Sequence, residues 1–216
     1  METLYLVIPC YNEEDMLPIT SKALLKKMNE LISGGMISPE SKVMFVDDGS
    51  KDKTWELIQV LHDYDPMFTG LKLSRNKGHQ NALLAGLMTA KDYADIIISM
   101  DADLQDDINA IDGFLEKRAE GCDIVYGVRS SRETDTAFKR GTAEAYYKIL
   151  AKMGVEITYN HADYRLMSKR AVEGLAEFKE VNLFLRGLVP MVGYKSGVVK
   201  YRRAERQAGE SKYPLK

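Results

Sequence analysis

Two carboxylates one residue apart, Asp101 and Asp103, close the apolar run Ala94-Asp-Ile-Ile-Ile-Ser-Met100, and Gln105 follows two residues later. Carboxylate and amide oxygens suit a hard divalent cation, and such a cation suits a diphosphate. The apolar run reads as a buried parallel strand, and in open α/β sheets ligands bind beyond the carboxyl ends of strands. These residues point to a metal-dependent enzyme that handles phosphate. Three more polar clusters follow apolar runs: Pro9-Cys-Tyr-Asn-Glu-Glu14, Asp47-Asp-Gly-Ser50 and Asn76-Lys-Gly-His-Gln-Asn81. Alone, each is equally well a turn, a helix cap or a solvated loop. If the strands before them are parallel, all four converge on one crevice.

In that crevice Tyr11 could stack on a base, and Asp47 could accept a hydrogen bond from a base or ribose. No G-x-G-x-x-G follows the first strand and no Walker A sequence is present, so a cation and basic side chains must hold phosphate. Arg206 and Lys212, in the glycine-containing Arg206-Gln-Ala-Gly-Glu-Ser-Lys-Tyr213, suit that work; a solvated basic terminus is the plainer alternative. Cys10 with His79 or His161 offers a thiol nucleophile, but nothing in the sequence arranges such a pair.

The elements that must position these groups alternate, which argues for βαβ units and a mostly parallel sheet. Strands are expected over Leu4–Pro9, Lys42–Val46, Leu71–Ser74, the run ending at Asp101, Asp123–Val128 and Tyr164–Met167, with Gly197–Tyr201 as a late edge strand. Helices are marked by Leu17, Leu24, Met28 and Leu31, ending near Gly34-Gly35; by Trp55, Ile58 and Leu61; by a start at Gly78; and by Ile108, Ile111 and Leu115. A polar loop over Arg129–Ala137, a helix over Phe138–Lys152 and a helix capped by Ser168 complete the expected order.

With 216 residues and an ordinary apolar share, the chain fits one α/β domain over 1–216. Residues 1–128 read as a nucleotide-binding half, and 129–216 as an acceptor-handling half with a basic end. Two cysteines are too few for a disulfide framework, so a reducing, cytosolic setting is expected. The opening residues lack a basic n-region, and no apolar run reaches membrane-spanning length. From Lys195 to Lys216, seven basic residues against Glu205 and Glu210 leave +5, within a chain of net charge -2. Such a segment suits phosphates or an anionic membrane surface.

Taken together, Val7-Ile-Pro-Cys-Tyr-Asn-Glu13, Val46-Asp-Asp-Gly-Ser50, Asn76-Lys-Gly-His-Gln-Asn-Ala82, Asp101-Ala-Asp-Leu-Gln105, Gly127-Val-Arg129, Asp163-Tyr-Arg-Leu-Met167 and Gly209-Glu-Ser-Lys-Tyr213 resemble the family 2 glycosyltransferases. The likeness spans nearly the whole chain and is strongest to the polyprenyl-phosphate branch, above all the bactoprenol glucosyltransferases. It implies a GT-A fold: a Rossmann-like, mostly parallel mixed sheet flanked by helices. It also implies a nucleotide-sugar donor, Mg2+ or Mn2+, a lipid phosphate acceptor at the cytoplasmic face of the cell membrane, and no nucleic-acid partner. A homo-oligomer is compatible with it. Relatives of this branch continue into two C-terminal transmembrane helices that this sequence does not include, so this chain itself is expected to be soluble or peripheral.

Carried over residue by residue, the resemblance makes Pro9, Tyr11, Glu13, Asp47, Lys77, Gln80 and Asp101 donor contacts, with Arg206 and Lys212 neutralising the leaving diphosphate. Asp101, Asp103 and Gln105 become the metal site, and Arg129, Arg140 and Arg165 the acceptor-phosphate groups. Asp103 and Asp163 are the catalytic candidates. A phosphate monoester has a second pKa of about 6, so the acceptor needs little help from a base and Asp163 serves as readily in positioning. The family usually has glycine just before this aspartate, where this chain has His161-Ala162-Asp163. A processive synthase would carry Q-x-x-R-W, but the single tryptophan is Trp55. The resemblance puts transfer from UDP-glucose first. A GDP-mannose-dependent mannose synthase is the alternative, and a non-catalytic nucleotide-binding membrane scaffold is a third reading.

Overall fold

A computed structural model describes residues 1–129, 161–179 and 184–204 of the chain. Strand β1 (Leu4–Cys10) is buried along its whole length, as a strand is when helices cover both faces of its sheet. It pairs in parallel with β2 (Lys42–Asp47) on one side and β4 (Ile96–Ser99) on the other. Beyond β2 lies β3 (Phe68–Lys72), also parallel. On the other flank β6 (His161–Ser168) enters antiparallel between β4 and β5 (Ile124–Arg129), and β7 (Ser196–Tyr201) runs parallel to β5. The sheet order is β3-β2-β1-β4-β6-β5-β7. Six described strands share one direction and β6 opposes them. The amino end of β6 therefore meets the carboxyl ends of the others along one edge.

Alternation along β1 divides the core into two layers. Leu4, Leu6 and Ile8 pack with Leu24 and Met28 of α1 (Leu17–Ser33), Ile58 of α2 (Thr54–Tyr64) and Ile111 and Phe114 of α4 (Ala110–Ala119). Tyr5 and Val7 pack on the other face with Leu83 and Leu87 of α3 (His79–Ala90). Val172 of α5 (Lys169–Ala176) and Leu185 and Val189 of α6 (Leu185–Met191) belong to the same layer. Each such aliphatic side chain contributes roughly 1.5–3 kcal/mol on full burial. The expected α1 stripe is buried, the helix stops just before Gly34, and Ser168 caps α5 by accepting from the Ala171 amide.

Strand β3 begins three residues earlier and ends two residues earlier than its sequence suggests. Phe68 stacks on Phe45 with ring centroids 6.0 Å apart and anchors the strand ahead of Gly70. Gly70 interrupts the apolar run for a steric reason: a Cβ there would come within 2.5 Å of Ile58 Cγ2 in α2. Beyond Arg129 itself, the loop expected through Ala137 and the helix over Phe138–Lys152 lie outside the described residues.

Candidate active site

The four polar clusters do meet at that edge, each tied to the next. The first two are laced by Asn12 N–H donating to Ser50 Oγ (2.9 Å), Lys51 N–H to Asn12 Oδ1 (2.8 Å) and Glu13 N–H to Thr54 Oγ1 (2.8 Å). The second holds the third through Asp48, whose carboxylate accepts the amides of Lys77 (2.7 Å) and Gly78 (2.9 Å). Gly49 makes this approach possible: its φ is +67°, and a Cβ there would lie 2.5–2.7 Å from the backbone of Arg75 and Asn76. The third reaches the fourth through His79, whose Nε2 is 3.0 Å from Asp101 Oδ1.

Because β6 runs against its neighbours, Asp163 arrives at the same edge. Its carboxylate takes Arg165 (2.6 Å), Arg186 (3.1 and 3.3 Å) and Gln80 Nε2 (3.4 Å). Gln80 Oε1 accepts the Leu185 amide at 3.2 Å, joining the start of α3 to α6. Burial drives the Asp163 pKa up, but Arg165, Arg186 and His79 outweigh it and hold it below the ordinary carboxylate value. His79 responds oppositely: burial pushes it down, while Asp101 and Asp163 more than offset this and raise it.

Across the site, the loop after β4 is clasped by the ends of β5 and β7. Tyr201 donates to Asp106 Oδ1 at 2.6 Å, and Arg129 reaches the same oxygen at 3.5 Å and the Tyr201 hydroxyl at 3.3 Å. Burial, with the charges of Asp101 and Asp103, raises the Asp106 pKa despite the Tyr201 hydrogen bond. Ala204 N–H donates to the Gln105 carbonyl at 2.8 Å, and Arg203 contacts the Gln105 side chain. Within this loop Leu104 has φ +53°, a region disfavoured for a branched side chain and tolerated where surroundings enforce it.

Asp101, Asp103 and Gln105 are each half-buried on this one turn, and all three offer oxygen. That donor set fits a hard divalent cation. Among the described residues no three His, Cys, Asp or Glu side chains gather into a shell of their own. Two carboxylates and an amide leave positions for water and phosphate oxygens.

Pro9 is buried in β1, Glu13 is buried at its exit, Tyr11 is half-buried and Lys77 is exposed. Asp47 is fully buried; its Oδ1 accepts the Ser50 amide at 3.1 Å, and its Oδ2 finds no partner among the described residues. An unsatisfied buried carboxylate oxygen calls for a donor from elsewhere. Arg165 differs from its expected role. It is 2 % exposed and sits behind Asp163, so it braces that carboxylate and is not presented to an acceptor. Arg140, Arg206 and Lys212 lie outside the described residues. The thiol reading loses its basis, since burial, with Glu13 and Asp47, holds Cys10 well above its ordinary pKa. Arg186 was not foreseen; a lone arginine in Phe184-Leu-Arg-Gly187 carries no local signal.

The sequence profile described as glycosyl transferase family 2 matches residues 5–175. The chain belongs to that family. It is 55% identical over 213 residues to the uncharacterized glycosyltransferase YkoT of Bacillus subtilis, covering 99% of this chain and 63% of the relative. It is 42% identical over 209 residues to the prophage bactoprenol glucosyl transferase homolog of Escherichia coli, covering 96% of this chain and 66% of that protein. The chain thus spans about two thirds of the length of these relatives. Glucosyl-3-phosphoglycerate synthase of Mycobacterium tuberculosis, solved with Mn2+, uridine diphosphate and phosphoglyceric acid, superposes with a TM-score of 0.55 at 15% identity. That match covers 96% of this chain and 72% of the synthase. The fold is accordingly GT-A, as the resemblance implied.

Proposed function

We propose that this family 2 domain moves a hexose from a nucleotide sugar, UDP-glucose first, to a polyprenyl phosphate such as undecaprenyl phosphate, with inversion at the anomeric carbon. The observation that carries this reading is the set of contacts that ties the four polar clusters together, Asn12 with Ser50, Asp48 with the Lys77 and Gly78 amides and His79 with Asp101, with Asp163 and Arg186 on the same sheet edge. The glucosyl-transferase name of the Escherichia coli relative supports the sugar and the lipid.

In this reading Tyr11 and Asp47 face the base, and the lone Asp47 Oδ2 receives an imide or amide N–H. Asp101, Asp103 and Gln105 would hold Mg2+ or Mn2+, which when bound neutralises charge on the donor diphosphate. Pro9 and Glu13 shape the nucleoside wall, and Lys77 and Gln80 stand on the donor side. Arg206 and Lys212 complete the charge around the leaving group. Arg129 and Arg140 are the groups proposed to hold the acceptor phosphate, and Arg186 joins them.

A phosphate oxygen of the lipid attacks C1, the bond from C1 to the diphosphate oxygen breaks, and the nucleoside diphosphate leaves. No proton need be removed from a phosphate already ionised near neutral pH. Asp163 suits positioning better than proton transfer, because its pKa is lowered and four donors occupy its oxygens. It orients Arg186 and compensates buried Arg165.

Transfer is tested with radiolabelled UDP-glucose and GDP-mannose, undecaprenyl phosphate and Mn2+. Label in the lipid from UDP-glucose supports the reading. Label from GDP-mannose alone replaces it with a mannose synthase, and no transfer from any donor by a folded full-length protein leaves the scaffold.

A further inference from the structure

Helix α1 leaves the first polar cluster directly: the Glu13 carbonyl accepts the Met16 and Leu17 amides at 3.1 and 2.9 Å. One turn in, Thr20 is fully buried, with Leu17 and Leu24, three and four residues away, buried on the same flank of the helix. A hydroxyl in such a place is costly to bury without a partner. Helical hydroxyls commonly bond back to a carbonyl of their own helix, and two in this fold do so: Ser21 to Pro18 at 3.2 Å, and Thr89 to Ala85 at 2.9 Å. Thr20 reaches out instead. Its Oγ1 donates at 2.6 Å to the carbonyl of Ala102, the residue between Asp101 and Asp103.

The turn needs that donor. The Met100 amide is still held by the Val7 carbonyl at 3.2 Å, but the pairings of β4 with β1 and β6 both end at Ser99, so the Ala102 carbonyl lies beyond the ladder. Ala102 is itself buried, and a buried carbonyl without a donor is unfavourable. A trans peptide is planar, so anchoring this oxygen fixes the plane from which the Asp103 Cα hangs. Asp103 Oδ1 then accepts the Gln105 amide at 3.1 Å, and between them Leu104 holds φ +53°. The hydroxyl also completes a circuit. Contacts run from the first cluster to the second, third and fourth, and Thr20 joins the fourth back to the helix that continues the first.

We propose that Thr20 is a positioning residue: its hydroxyl, acting through the Ala102 carbonyl, sets the turn that carries Asp101, Asp103 and Gln105. The inference rests on the metal-and-diphosphate reading of that turn for its purpose, while the tether itself needs no ligand. Thr20 touches no substrate in this account, since it lies behind the turn with no exposed surface. With the bond, three oxygen donors meet a cation already arranged. Without it the turn, whose Leu104 conformation is disfavoured, has one restraint fewer and must be ordered as the cation binds. Groups that orient metal ligands from behind typically matter by about 10–100-fold in metal affinity.

The test compares the parent with Thr20→Val, which keeps the shape and removes the donor, and Thr20→Ser, which keeps the donor. Hydrogen–deuterium exchange of the ligand-free chain reads the tether, and calorimetric titration of UDP with Mn2+ and with EDTA reads its consequence. In Thr20→Val the amides of residues 102–105 should exchange about tenfold faster, while those of 34–36 at the far end of α1 stay at parental rates. UDP affinity with Mn2+ should fall about tenfold in that variant, with affinity in EDTA unchanged. Thr20→Ser should restore both. A packing role predicts the reverse order, since serine lacks the methyl that valine keeps. Melting well above the titration temperature shows that each variant is folded, and Thr20→Ala replaces the valine variant should that one not fold. Parental exchange of the turn or parental Mn2+-dependent UDP affinity in Thr20→Val, or a serine variant no better than valine, overturns the inference. If the parent binds no UDP, the donor reading fails, and exchange of the turn alone decides the tether.

Discussion

Two buried aspartates, each bracketed by two arginines, sit at opposite edges of the sheet. Asp123, just before β5, accepts from Arg118, Arg170 and the Ser168 hydroxyl, and the Arg170 hydrogen bond leads the effects that lower its pKa. Asp163 is also held low, by Arg165, Arg186 and His79 against burial. A shifted carboxylate between arginines therefore does not mark an active site. Surroundings separate the two. Asp123 staples the amino ends of strands to α5, while Asp163 stands on the edge where six carboxyl ends lie, linked through Gln80 and His79 to half-buried Asp101.

Replacing each aspartate is expected to have the largest effect. Asp163→Asn strands Arg165 as an uncompensated buried cation and should cost about 3–5 kcal/mol in denaturant unfolding. It should also lower transfer by about 100-fold or more, through misplacement of Arg186. Asp123→Asn should lower the melting temperature while UDP affinity and turnover per folded molecule stay at parental values. Equal loss of turnover in both variants would erase the distinction drawn here.

Arg186→Ala comes next. Its side chain is half-exposed, so stability should change little, whereas turnover should fall about 100-fold, the scale on which one charge-stabilising donor acts. Lysine at this position should recover only part, since a point charge does not reproduce the two-pronged contact with Asp163.

The two aspartates should also differ on titration, because His79 acts on Asp163 and not on Asp123. A carboxylate whose folded pKa is depressed contributes stability that is complete above its unfolded value, about 3.9. That share is lost as pH falls through the folded value. The stability gap between the parent and Asp163→Asn should widen as pH falls from 7 to about 5, because Asp163 helps raise His79 and favours its charged form, and narrow below about 4. The gap for Asp123→Asn should be flat from pH 7 to about 5 before it narrows. Unfolding curves at several pH values check this, and the histidine-dependent step should appear at Asp163 alone.

The smallest effect is expected from Tyr201→Phe, which keeps the ring contacts with Tyr164 and removes the hydroxyl that reaches Asp106. A loss of about 1 kcal/mol is expected, with weaker Mn2+ binding by calorimetry, because Asp106 lies in the turn that carries Asp103 and Gln105.

Much of this arrangement was legible in the sequence because period and punctuation agree. Leu24, Met28 and Leu31 mark α1, the unbroken apolar run marks β4, and Asp101, Asp103 and Gln105 follow where a parallel strand ends. Tertiary facts were less accessible. Gly70 looked like a strand boundary, yet it lies inside β3 because α2 presses against it. The resemblance makes Arg165 an acceptor-phosphate group, yet β6 turns it inward behind Asp163. Arg186 became visible only when α6 was seen beside β6, and the left-handed backbone of Leu104 has no sequence signature at all.

If this edge binds a nucleoside diphosphate with a divalent cation, calorimetric titration of UDP with and without Mn2+ will show it. The parent should bind UDP with Mn2+, lose most of that affinity in EDTA, and lose it equally in Asp103→Ala, whose melting temperature should match the parent. UDP binding that ignores both the cation and Asp103, or no binding by folded parent protein, would mean that this edge is not a metal-dependent nucleotide site.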